Sequence, residues 1–476
     1  MSYETNWLIR FIFIKVARIK VTLGNWLWKD YIKITTSISY MSSAIGSLKF
    51  PFPLKPDQLS AVESWINKGC RGSVIYSTGT GKTEIAFESA RRASLLDTVN
   101  KNNIPANTEP YNILFLVPRI VLIEQNIIRL QKYNIPPESI GAFYGEKKNH
   151  REITISTYQS TVNNHQLIED SKMVILDEVH LLSNTAFSFK NLFKVITSNP
   201  SRRILGLTAT INELDPRYKE IIEIIPPVKK YLIKEAVDDG RLAKPEIITL
   251  EVTLTSEERE IYRKTSETIR NISYKLNAYD PSVISKILYQ GGMRAKYAKE
   301  WFNQVKIRKD LLNSSRRKLD RAVTIIEKHR DEKLMVFSET IESITKLREI
   351  LITKNIKSEI IHSKIKTKER KLILEKWGTD FFPLLSVHTL EIGFDIPQVG
   401  IAIILSNTSN INQIAQRIGR VIRKTAEKKS ASIYLVYAKE TKDNNILRMV
   451  DKAVGTKTNK ATRKGTKQTK ITDSFK

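Results

Sequence analysis

Short runs rich in apolar and β-branched residues recur along most of the chain and alternate with segments whose apolar residues fall three or four positions apart. Such runs are typical of strands buried on both faces of a parallel sheet, and the wider spacing is typical of the helices that cover it. The runs lie at 73–76, 113–117, 153–157, 173–176, 204–207, 334–337, 359–361 and 384–387. This alternation predicts an α/β fold built from doubly wound parallel sheets.

The pattern changes at both ends and once in the middle, which divides the chain into five parts. In the middle part, charged residues recur every three or four positions beside an apolar stripe and strand-like runs are few, which predicts a helical insert or connector between two lobes. The predicted parts are 1–49 (a basic and apolar N-terminal extension), 50–250 (lobe 1), 251–330 (the insert), 331–455 (lobe 2) and 456–476 (a disordered basic tail).

The N-terminal extension resembles neither a membrane span nor a signal peptide. Charged residues interrupt the apolar stretch from Trp7 to Trp28, so no uncharged run reaches the length that a bilayer requires. We expect one or two strands around residues 19–23, with a basic interfacial helix as the alternative. Met41 could also begin a shorter protein. These features predict a cytoplasmic or nuclear protein with no membrane partner.

Composition points to a polyanionic partner in a reducing compartment. The chain has 476 residues, a formal net charge of +28 and a pI near 9.8, and it contains 17 Tyr, 16 Phe and 6 Trp. Nucleic acid is the first candidate for such a basic, aromatic-bearing chain. The lone Cys70 excludes a disulfide framework, and six scattered histidines offer no zinc-ligand spacing.

A glycine-rich loop at 77–83, Ser-Thr-Gly-Thr-Gly-Lys-Thr, lies between the strand-like run 73–76 and a segment with helical periodicity. The glycines allow consecutive backbone N–H groups to face phosphate oxygens. Lys82 is expected on the β- and γ-phosphates, and the Thr83 hydroxyl on Mg²⁺. The strict pattern places glycine where this chain has Tyr76. The order of strand, loop and helix nevertheless predicts a nucleoside triphosphate site.

Two carboxylates, Asp177 and Glu178, follow the run 173–176 directly. Carboxylates at the end of a buried strand are unfavourable unless a cation or a reaction uses them. We expect Asp177 to hold Mg²⁺ through water, and Glu178 to orient and deprotonate the water that attacks the γ-phosphate. An acidic pair that merely caps a helix is the alternative.

The motifs resemble, in type and order, the two-lobed motor of superfamily 2 helicases and translocases. The resemblance covers residues 54–424 and is carried by the motifs at 54–58 (Leu-Lys-Pro-Asp-Gln), 77–83, 177–180 (Asp-Glu-Val-His), 208–210 (Thr-Ala-Thr), 235–242 and 255–259. The last two are most similar to the branch that contains XPB and the motor subunits of restriction enzymes. The resemblance implies two RecA-like lobes, ATP as the nucleotide, and Gln58 at the adenine edge, where an amide can both donate and accept.

The same resemblance places the fifth motif within 384–397, in lobe 2. Thr389 would face the nucleic-acid backbone, while Gly393 and Asp395 would line the nucleotide cleft. The residues expected to bind the nucleotide are therefore Gln58, Ser77, Thr78, Gly79, Thr80, Gly81, Lys82, Thr83, Gly393 and Asp395.

The sixth motif occupies 413–423. On a helix, Gln416, Arg420 and Arg423 share one face because they are spaced i, i+4 and i+7. Arginines that reach from the second lobe to a nucleotide on the first can stabilise charge on the transferring phosphoryl group, and they make lobe closure depend on ATP. An exposed basic helix face is the alternative.

Nucleic-acid contacts are expected at strand ends and on the insert. The insert combines cations with Tyr297, Trp301 and Phe302, which predicts a surface that grips phosphates and stacks an exposed base. The alternative is a solvated helix pair whose aromatic residues form its core. The predicted contact residues are Pro118, Arg119, Thr157, Thr389, Lys306, Arg316 and Arg317.

Together these motifs predict an ATP- and Mg²⁺-dependent helicase or translocase, expected as a monomer, that acts on DNA in repair, replication or transcription. An RNA helicase and a non-catalytic DNA-clamping subunit are the alternatives. The tail at 468–475 resembles a sliding-clamp interaction box, with Gln468, Ile471 and Phe475 as anchors and Ser474 in place of the first aromatic. A basic strap on phosphates is the alternative for this tail.

Overall fold

The computed structural model describes residues 43–100, 110–182, 187–211, 213, 215, 218–362, 364–387, 399–406, 414, 417–419, 421–422 and 430–454. The predicted strands at 19–23 and the tail motif at 468–475 lie outside these residues.

The first sheet has eight strands in the order β4-β3-β5-β2-β6-β7-β1-β8. Its pairs are parallel except for the short β3–β4 hairpin at one edge. The strands are β1 (Arg71–Tyr76), β2 (Ile113–Val117), β3 (Ile140–Tyr144), β4 (Lys147–Lys148), β5 (Ile153–Thr157), β6 (Met173–Asp177), β7 (Arg203–Thr208) and β8 (Pro227–Tyr231). All five residues of central β2 are buried, as the uninterrupted apolar run predicts.

Helices cover this sheet and make the first lobe a doubly wound domain. They are α1 (Pro56–Asn67), α2 (Lys82–Asn100), α3 (Ile120–Lys132), α4 (Tyr158–Val162), α5 (Gln166–Glu169), α6 (Phe187–Thr197), α7 (Lys219–Ile224) and α8 (Ile233–Asp238), with 3₁₀ turns at Ala44–Ser47, Pro137–Ser139 and Val179–Leu182. The carboxyl ends of the parallel strands share one edge of the sheet, and the loops that follow them form the candidate site.

The second sheet has six parallel strands in the order β11-β12-β10-β13-β14-β9. They are β9 (Lys244–Val252), β10 (Leu334–Ser338), β11 (Glu359–Ile361), β12 (Pro383–Val387), β13 (Ile401–Ile404) and β14 (Ser430–Ala438). Helices α12 (Arg316–Lys328), α13 (Ile341–Thr353), α14 (Thr367–Lys376) and α15 (Asn445–Val454) accompany it, with a 3₁₀ turn at Lys442–Asn444. The prediction of two α/β lobes with parallel sheets is confirmed.

The boundary predicted at residue 250 is wrong, because it falls inside β9. This strand pairs with β14 along its whole length, from Lys244 opposite Ser430 to Val252 opposite Ala438. The chain therefore enters the second sheet at its edge before the predicted end of lobe 1. An edge strand alternates exposed and partly buried residues, so β9 lacks the apolar run that marks the interior strands.

The insert is shorter than the predicted 251–330. It consists of α9 (Ser256–Leu276), α10 (Pro281–Ile287) and α11 (Gly292–Asn313). Helix α12 instead packs into the core of the second lobe, where Leu319 and Ile326 are buried with the strands. At the start of α9, the Thr255 hydroxyl accepts the Glu258 N–H at 3.2 Å while the Glu258 carboxylate accepts the Thr255 N–H at 2.9 Å. This reciprocal cap fixes where the insert begins.

The insert has its own small core, and this core contains the aromatic residues that we expected on its surface. Trp301 is 6% exposed, and its indole N–H donates to the Ser273 hydroxyl at 2.9 Å. Phe302 packs edge-on against Trp301, and Tyr297 packs on the same cluster. The expected base-stacking surface built from these three residues is therefore wrong. The helical spacing fixes which residues share a stripe, but not whether that stripe faces inward.

Lys318, a cation within the predicted insert 251–330, is fully buried in α12. Its ammonium lies 2.6 Å from the Asp443 carboxylate, which also accepts the Ala438 N–H at 2.9 Å. The two side chains are 0% and 1% exposed. The pair ties α12 to the turn after β14, and each charge is held in the interior by the other.

We expect Lys318→Met to lower the free energy of unfolding by about 3–5 kcal/mol, because it leaves the buried Asp443 carboxylate without its cation. Lys371→Met is the matched control: its exposed pair with Glu375 is 3.7 Å long and should contribute less than about 1 kcal/mol. Urea denaturation monitored by tryptophan fluorescence measures both variants. Equal midpoints for the two would contradict a structural role for the buried pair.

The two lobes meet through α15 and through the helical residues around Gly419. The buried α15 residues Ile446 and Val450 belong to the same apolar cluster as Ile233 and Tyr231 of the first lobe. Just after the motif at 235–242, where the chain passes from the first lobe to the second, the Ala243 N–H donates to the Ile422 carbonyl at 2.7 Å. The second lobe is therefore packed against the first on the side that carries the glycine-rich loop.

Candidate nucleotide-binding and catalytic site

The glycine-rich loop runs from the end of β1 to the first residue of α2, Lys82. Gly79 and Gly81 have φ of +88° and +92°, which side-chain-bearing residues rarely adopt. The Lys82 ammonium donates to the Tyr76 carbonyl at 3.1 Å, and the Thr80 hydroxyl donates to the Ser77 carbonyl at 2.8 Å. The loop therefore curls around the start of α2, with backbone N–H groups and the helix N-terminus available to an anion.

Gln58 braces this loop from α1. Its carbonyl oxygen accepts the Lys55 N–H at 2.8 Å, and its amide nitrogen lies 3.3 Å from the carbonyl oxygens of both Thr80 and Gly81. A Cβ at position 81 would stand 2.1 Å from that nitrogen. Gln58 is therefore a positioning residue for the loop in this structure, and its contact with adenine stays a prediction.

Arg241, which carries no recognisable motif signal of its own, also holds the loop. Its guanidinium lies 2.5 Å from the Asp57 carboxylate and donates to the Thr80 carbonyl at 2.8 Å. Tyr76 occupies the position at which the strict phosphate-loop pattern has glycine. Its hydroxyl donates to the Asp57 carbonyl at 2.7 Å, and its ring packs against Tyr231. Tyr76 thus fills a buried position beneath the loop, which explains why glycine is dispensable there. In the sequence, the position of Arg241 within the motif at 235–242 is the one feature that could have indicated its role.

The two acidic residues occupy different environments after β6. Glu178 is buried and has a φ of +53°, a strained conformation for a residue with a side chain. Its carboxylate lies 3.3 Å from His180 Nδ1, which in turn lies 3.0 Å from the Thr208 hydroxyl. Thr208 donates to the Thr210 carbonyl at 3.0 Å. The Asp-Glu-Val-His and Thr-Ala-Thr motifs are therefore linked by one chain of polar contacts.

Asp177 is half-buried, and burial raises its pKa from 3.8 to about 7, with the negative charge of Glu178 acting in the same direction. The positive charges of Lys82 and Arg129 oppose this rise. The raised pKa means that the charged form of Asp177 is disfavoured in the absence of a further cation. A divalent ion beside the carboxylate would favour this charged form, so Asp177 is suited to bind such an ion.

We expect the contribution of Asp177 to the stability of the nucleotide-free protein to fall as the pH rises from about 4 to 7. The pKa of Asp177 is higher in the folded than in the unfolded chain, so the folded chain binds more protons in this window and the free energy of unfolding falls as the pH increases. Asp177→Asn should remove that part of the pH dependence. Thermal unfolding at several pH values in the presence of a chelator measures it, and an unchanged pH profile in Asp177→Asn would contradict the assignment.

The residues around the loop fit ATP and Mg²⁺. The Thr78 hydroxyl oxygen is buried and has no hydrogen-bond partner among the described residues, as expected at a site that awaits a polar ligand. Thr83 is half-buried at the start of α2, and with Asp177 it supplies the hard oxygen ligands that Mg²⁺ prefers. Within the described residues, no group of three or more His, Cys, Asp and Glu side chains could hold a metal by itself. A site that shares the ion with phosphates needs no such group.

The sixth motif approaches the loop from the second lobe. A Cβ at Gly419 would lie 2.9 Å from the Thr78 Cβ, so the close approach of helix and loop requires glycine. Arg417 in the same segment is 1% exposed, with its guanidinium 5.8 Å from the Phe337 ring centre. Arg417 therefore belongs to the core of the second lobe. The expected site residues Gln416, Arg420, Arg423, Thr389, Gly393 and Asp395 lie outside the described residues.

Some of the residues expected to contact nucleic acid are exposed, and others already contact other parts of the protein. Pro118 and Arg119 are half-buried at the end of β2, where Arg119 precedes α3. The Thr157 hydroxyl caps α4 by accepting the Ser160 N–H at 3.2 Å, so in this structure it stabilises the fold. On or next to the insert, the remaining described candidates are Lys306 and Arg316, both exposed, and Arg317, whose guanidinium contacts Thr253.

Comparisons with known proteins agree with this fold. Residues 51–213 match the family described as "Type III restriction enzyme, res subunit", and residues 317–425 match "Helicase conserved C-terminal domain". The second match begins inside α12, in agreement with the packing of that helix. Of the helices in the described ranges, none is long and apolar enough to cross a membrane.

Two curated relatives are each 26% identical to the chain. One is "DNA 3'-5' translocase XPB2" of Sulfurisphaera tokodaii, aligned over 86% of this chain and 88% of its own length. The other is "DNA 3'-5' helicase XPB" of Mycobacterium tuberculosis, aligned over 81% of this chain and 60% of its own length. The chain thus spans most of the archaeal relative and about three fifths of the mycobacterial one.

Two solved structures share the fold at 17% identity. The type ISP restriction-modification enzyme LlaBIII bound to DNA has a TM-score of 0.55 over 85% of this chain and 30% of its own. The Pyrococcus furiosus Hef helicase domain has a TM-score of 0.50 over 83% of this chain and 99% of its own.

Two RecA-like lobes that carry a phosphate loop, an Asp-Glu-Val-His box and a second-lobe helix against that loop define a superfamily 2 motor ATPase. Within that superfamily, the chain is similar to the DNA helicases and translocases that carry the name XPB.

Proposed function

We propose that this protein is an ATP-dependent motor that translocates along DNA or separates its strands. The observation that carries the proposal is the packing of Gly419 in the second lobe against Thr78 in the phosphate loop of the first. A nucleotide on this loop would lie at the lobe interface, so its hydrolysis and release can change how the lobes pack. Cyclic opening and closing of two such lobes converts ATP turnover into movement along a strand.

Each site residue has a role in this cycle. Lys82 neutralises the β- and γ-phosphates, and Glu178 accepts a proton from the attacking water while His180 holds the Glu178 carboxylate. Thr83 and Asp177 would bind Mg²⁺, which supplies positive charge to the phosphates. Arg420 and Arg423 would act from the second lobe on the charge that develops during transfer, and the spacing of the sixth motif predicts Gln416 on the same helical face.

DNA is the favoured substrate because the relatives aligned over the largest shares of this chain are named as DNA enzymes. The formal charge of +28 supports a polyanionic partner but does not distinguish DNA from RNA. A relative from Methanocaldococcus jannaschii, 24% identical over 78% of this chain, is named a putative RNA helicase, which keeps RNA as the second candidate. Repair, replication and transcription remain the proposed settings, in the cytoplasm or nucleus.

The C-terminal tail and the oligomeric state extend the proposal. We propose that the chain works as a monomer and that Gln468, Ile471 and Phe475 dock a sliding clamp. A peptide of residues 460–476 titrated against the clamp of the source organism tests the tail. Binding that is lost in Ile471→Ala with Phe475→Ala supports the clamp motif, and absent binding reduces the tail to a basic strap.

ATP turnover with single-stranded DNA, duplex DNA and RNA tests the proposed function. We expect either form of DNA to stimulate turnover more than RNA does, and Lys82→Ala to abolish the stimulated rate. Stimulation by RNA alone would transfer the assignment to an RNA helicase. Nucleic-acid binding without any ATP turnover would favour a non-catalytic clamping subunit.

A further inference from the structure

The far end of the helical insert carries exposed aromatic and apolar side chains. Tyr289, in the turn between α10 and α11, is 90% exposed, and Met293 in the first turn of α11 is 63% exposed. Gly291 and Gly292 have φ of +72° and +69°, so this tight turn depends on two glycines. Tyr289 therefore stands in solvent on a turn whose course the backbone fixes.

Two further tyrosines lie at the end of the same insert. Tyr274 is 64% exposed and Tyr279 is 59% exposed, and their rings pack edge to face with centres 5.8 Å apart. Among the described residues, only Phe52 is another aromatic side chain with comparable exposure. We call Tyr274, Tyr279, Tyr289 and Met293 the insert tip. The core of the insert is closed around Trp301 without these four residues, so folding does not account for them.

The surroundings of the insert tip are strongly basic. Two acidic side chains lie nearby and both are engaged: Asp280 accepts the Ser282 N–H, and Glu300 accepts from Gln304. The exposed cations are Lys275, Lys286, Arg294, Lys296 and Lys299. Flat rings surrounded by cations complement a ligand that presents both aromatic faces and negative charge, which is the chemistry of unpaired nucleotides.

The insert is anchored to the second lobe through α11. The Lys309 ammonium in α11 lies 2.5 Å from the carboxylate of Glu339, which directly follows β10. This contact anchors α11 at the sheet edge where the ligand-facing loops of the second lobe begin. From Lys309 to Gly292 the helix extends about 25 Å, so the tip can reach nucleotides several positions beyond the lobes.

We infer that the insert tip stacks an unpaired base where single-stranded nucleic acid joins duplex. The inference rests on the proposed function and extends it, because it assigns the junction-contacting element of the motor. Tyr289 supplies the most accessible ring, and the surrounding lysines and Arg294 hold the adjacent phosphates. Within a duplex the neighbouring pairs cover both faces of each base, and only the terminal pair exposes one, so the tip should bind a fork more tightly than a blunt duplex.

The test compares binding of the full chain to forked, blunt-duplex and single-stranded DNA. The fork carries 2-aminopurine, a base whose fluorescence reports stacking, at the first unpaired position. We expect Tyr289→Ala to bind the fork about tenfold more weakly and to lose the fluorescence change, while blunt-duplex affinity stays unchanged. Tyr289→Phe should behave as the unmodified chain, because the ring is retained.

Ile352→Ala is the matched control, because Ile352 is 61% exposed on α13 of the second lobe and lies outside the tip. Fork binding by Tyr289→Ala equal to that of this control would overturn the inference. An equal loss on all three DNAs would also overturn it, because the tip would then be a general contact. If the unmodified chain binds no nucleic acid, the proposed function itself fails, which is a separate result.

Discussion

Glu178→Gln is expected to lower ATP turnover by about 10²–10⁴-fold while ATP remains bound. The substitution keeps the size and shape of the side chain but removes the carboxylate that accepts the proton of the attacking water. Lys82 and the backbone of the phosphate loop are untouched, so the nucleotide should still occupy the site, with the lobes held closed before hydrolysis. Single-turnover hydrolysis and equilibrium binding of a fluorescent ATP analogue separate the two effects.

Lys82→Ala provides the contrasting variant. It removes the cation at the β- and γ-phosphates, so we expect both nucleotide binding and hydrolysis to be lost. The pair therefore distinguishes binding from chemistry within one site. Full turnover by Glu178→Gln would refute the assignment of this carboxylate as the catalytic base.

Arg420→Ala and Arg423→Ala should each lower turnover by about three orders of magnitude with little change in ATP affinity. An arginine that acts on the transition state contributes where charge develops, and much less to the bound ground state. Steady-state kinetics with saturating DNA, together with nucleotide binding, measures the separation.

Arg417→Ala is the control on the same segment. Its guanidinium is buried beside Phe337 and Ser406, so its removal should lower the stability of the second lobe. If Arg420→Ala or Arg423→Ala instead lost DNA binding and kept ATPase activity, these arginines would be phosphate grips, and the interface model of catalysis would be wrong.

The elements that carry chemistry could be predicted from the sequence because local pattern determines them. A wholly buried parallel strand such as β2 must be apolar throughout, and a phosphate loop needs glycines where φ is positive. The two acidic residues after β6 likewise follow from the end of an apolar run. These signals are short in sequence, so no knowledge of distant contacts is required.

Features that depend on distant contacts could not be predicted in the same way. The sequence does not reveal that Lys318 meets Asp443 in the core or that Arg241 reaches the phosphate loop, because each partner lies more than a hundred residues away. The exposed tyrosines were missed for a related reason. Helical periodicity groups Tyr297, Trp301 and Phe302 with the cations, and only packing shows that they face inward while Tyr289 does not.

Apart from the contact of Gly419 with the phosphate loop, the second lobe is attached to the first at two places. One is covalent, at the joint that leads into β9, and the other is the return of α15, whose Ala453 lies near Ser77 and Thr78 of the phosphate loop. A body held at two separated points keeps chiefly one freedom, rotation about the line that joins them. Lobe opening should therefore be a rotation about one axis rather than an unrestricted motion of a tethered domain. The distance between one pair of labels, one on each lobe, would suffice to follow this rotation.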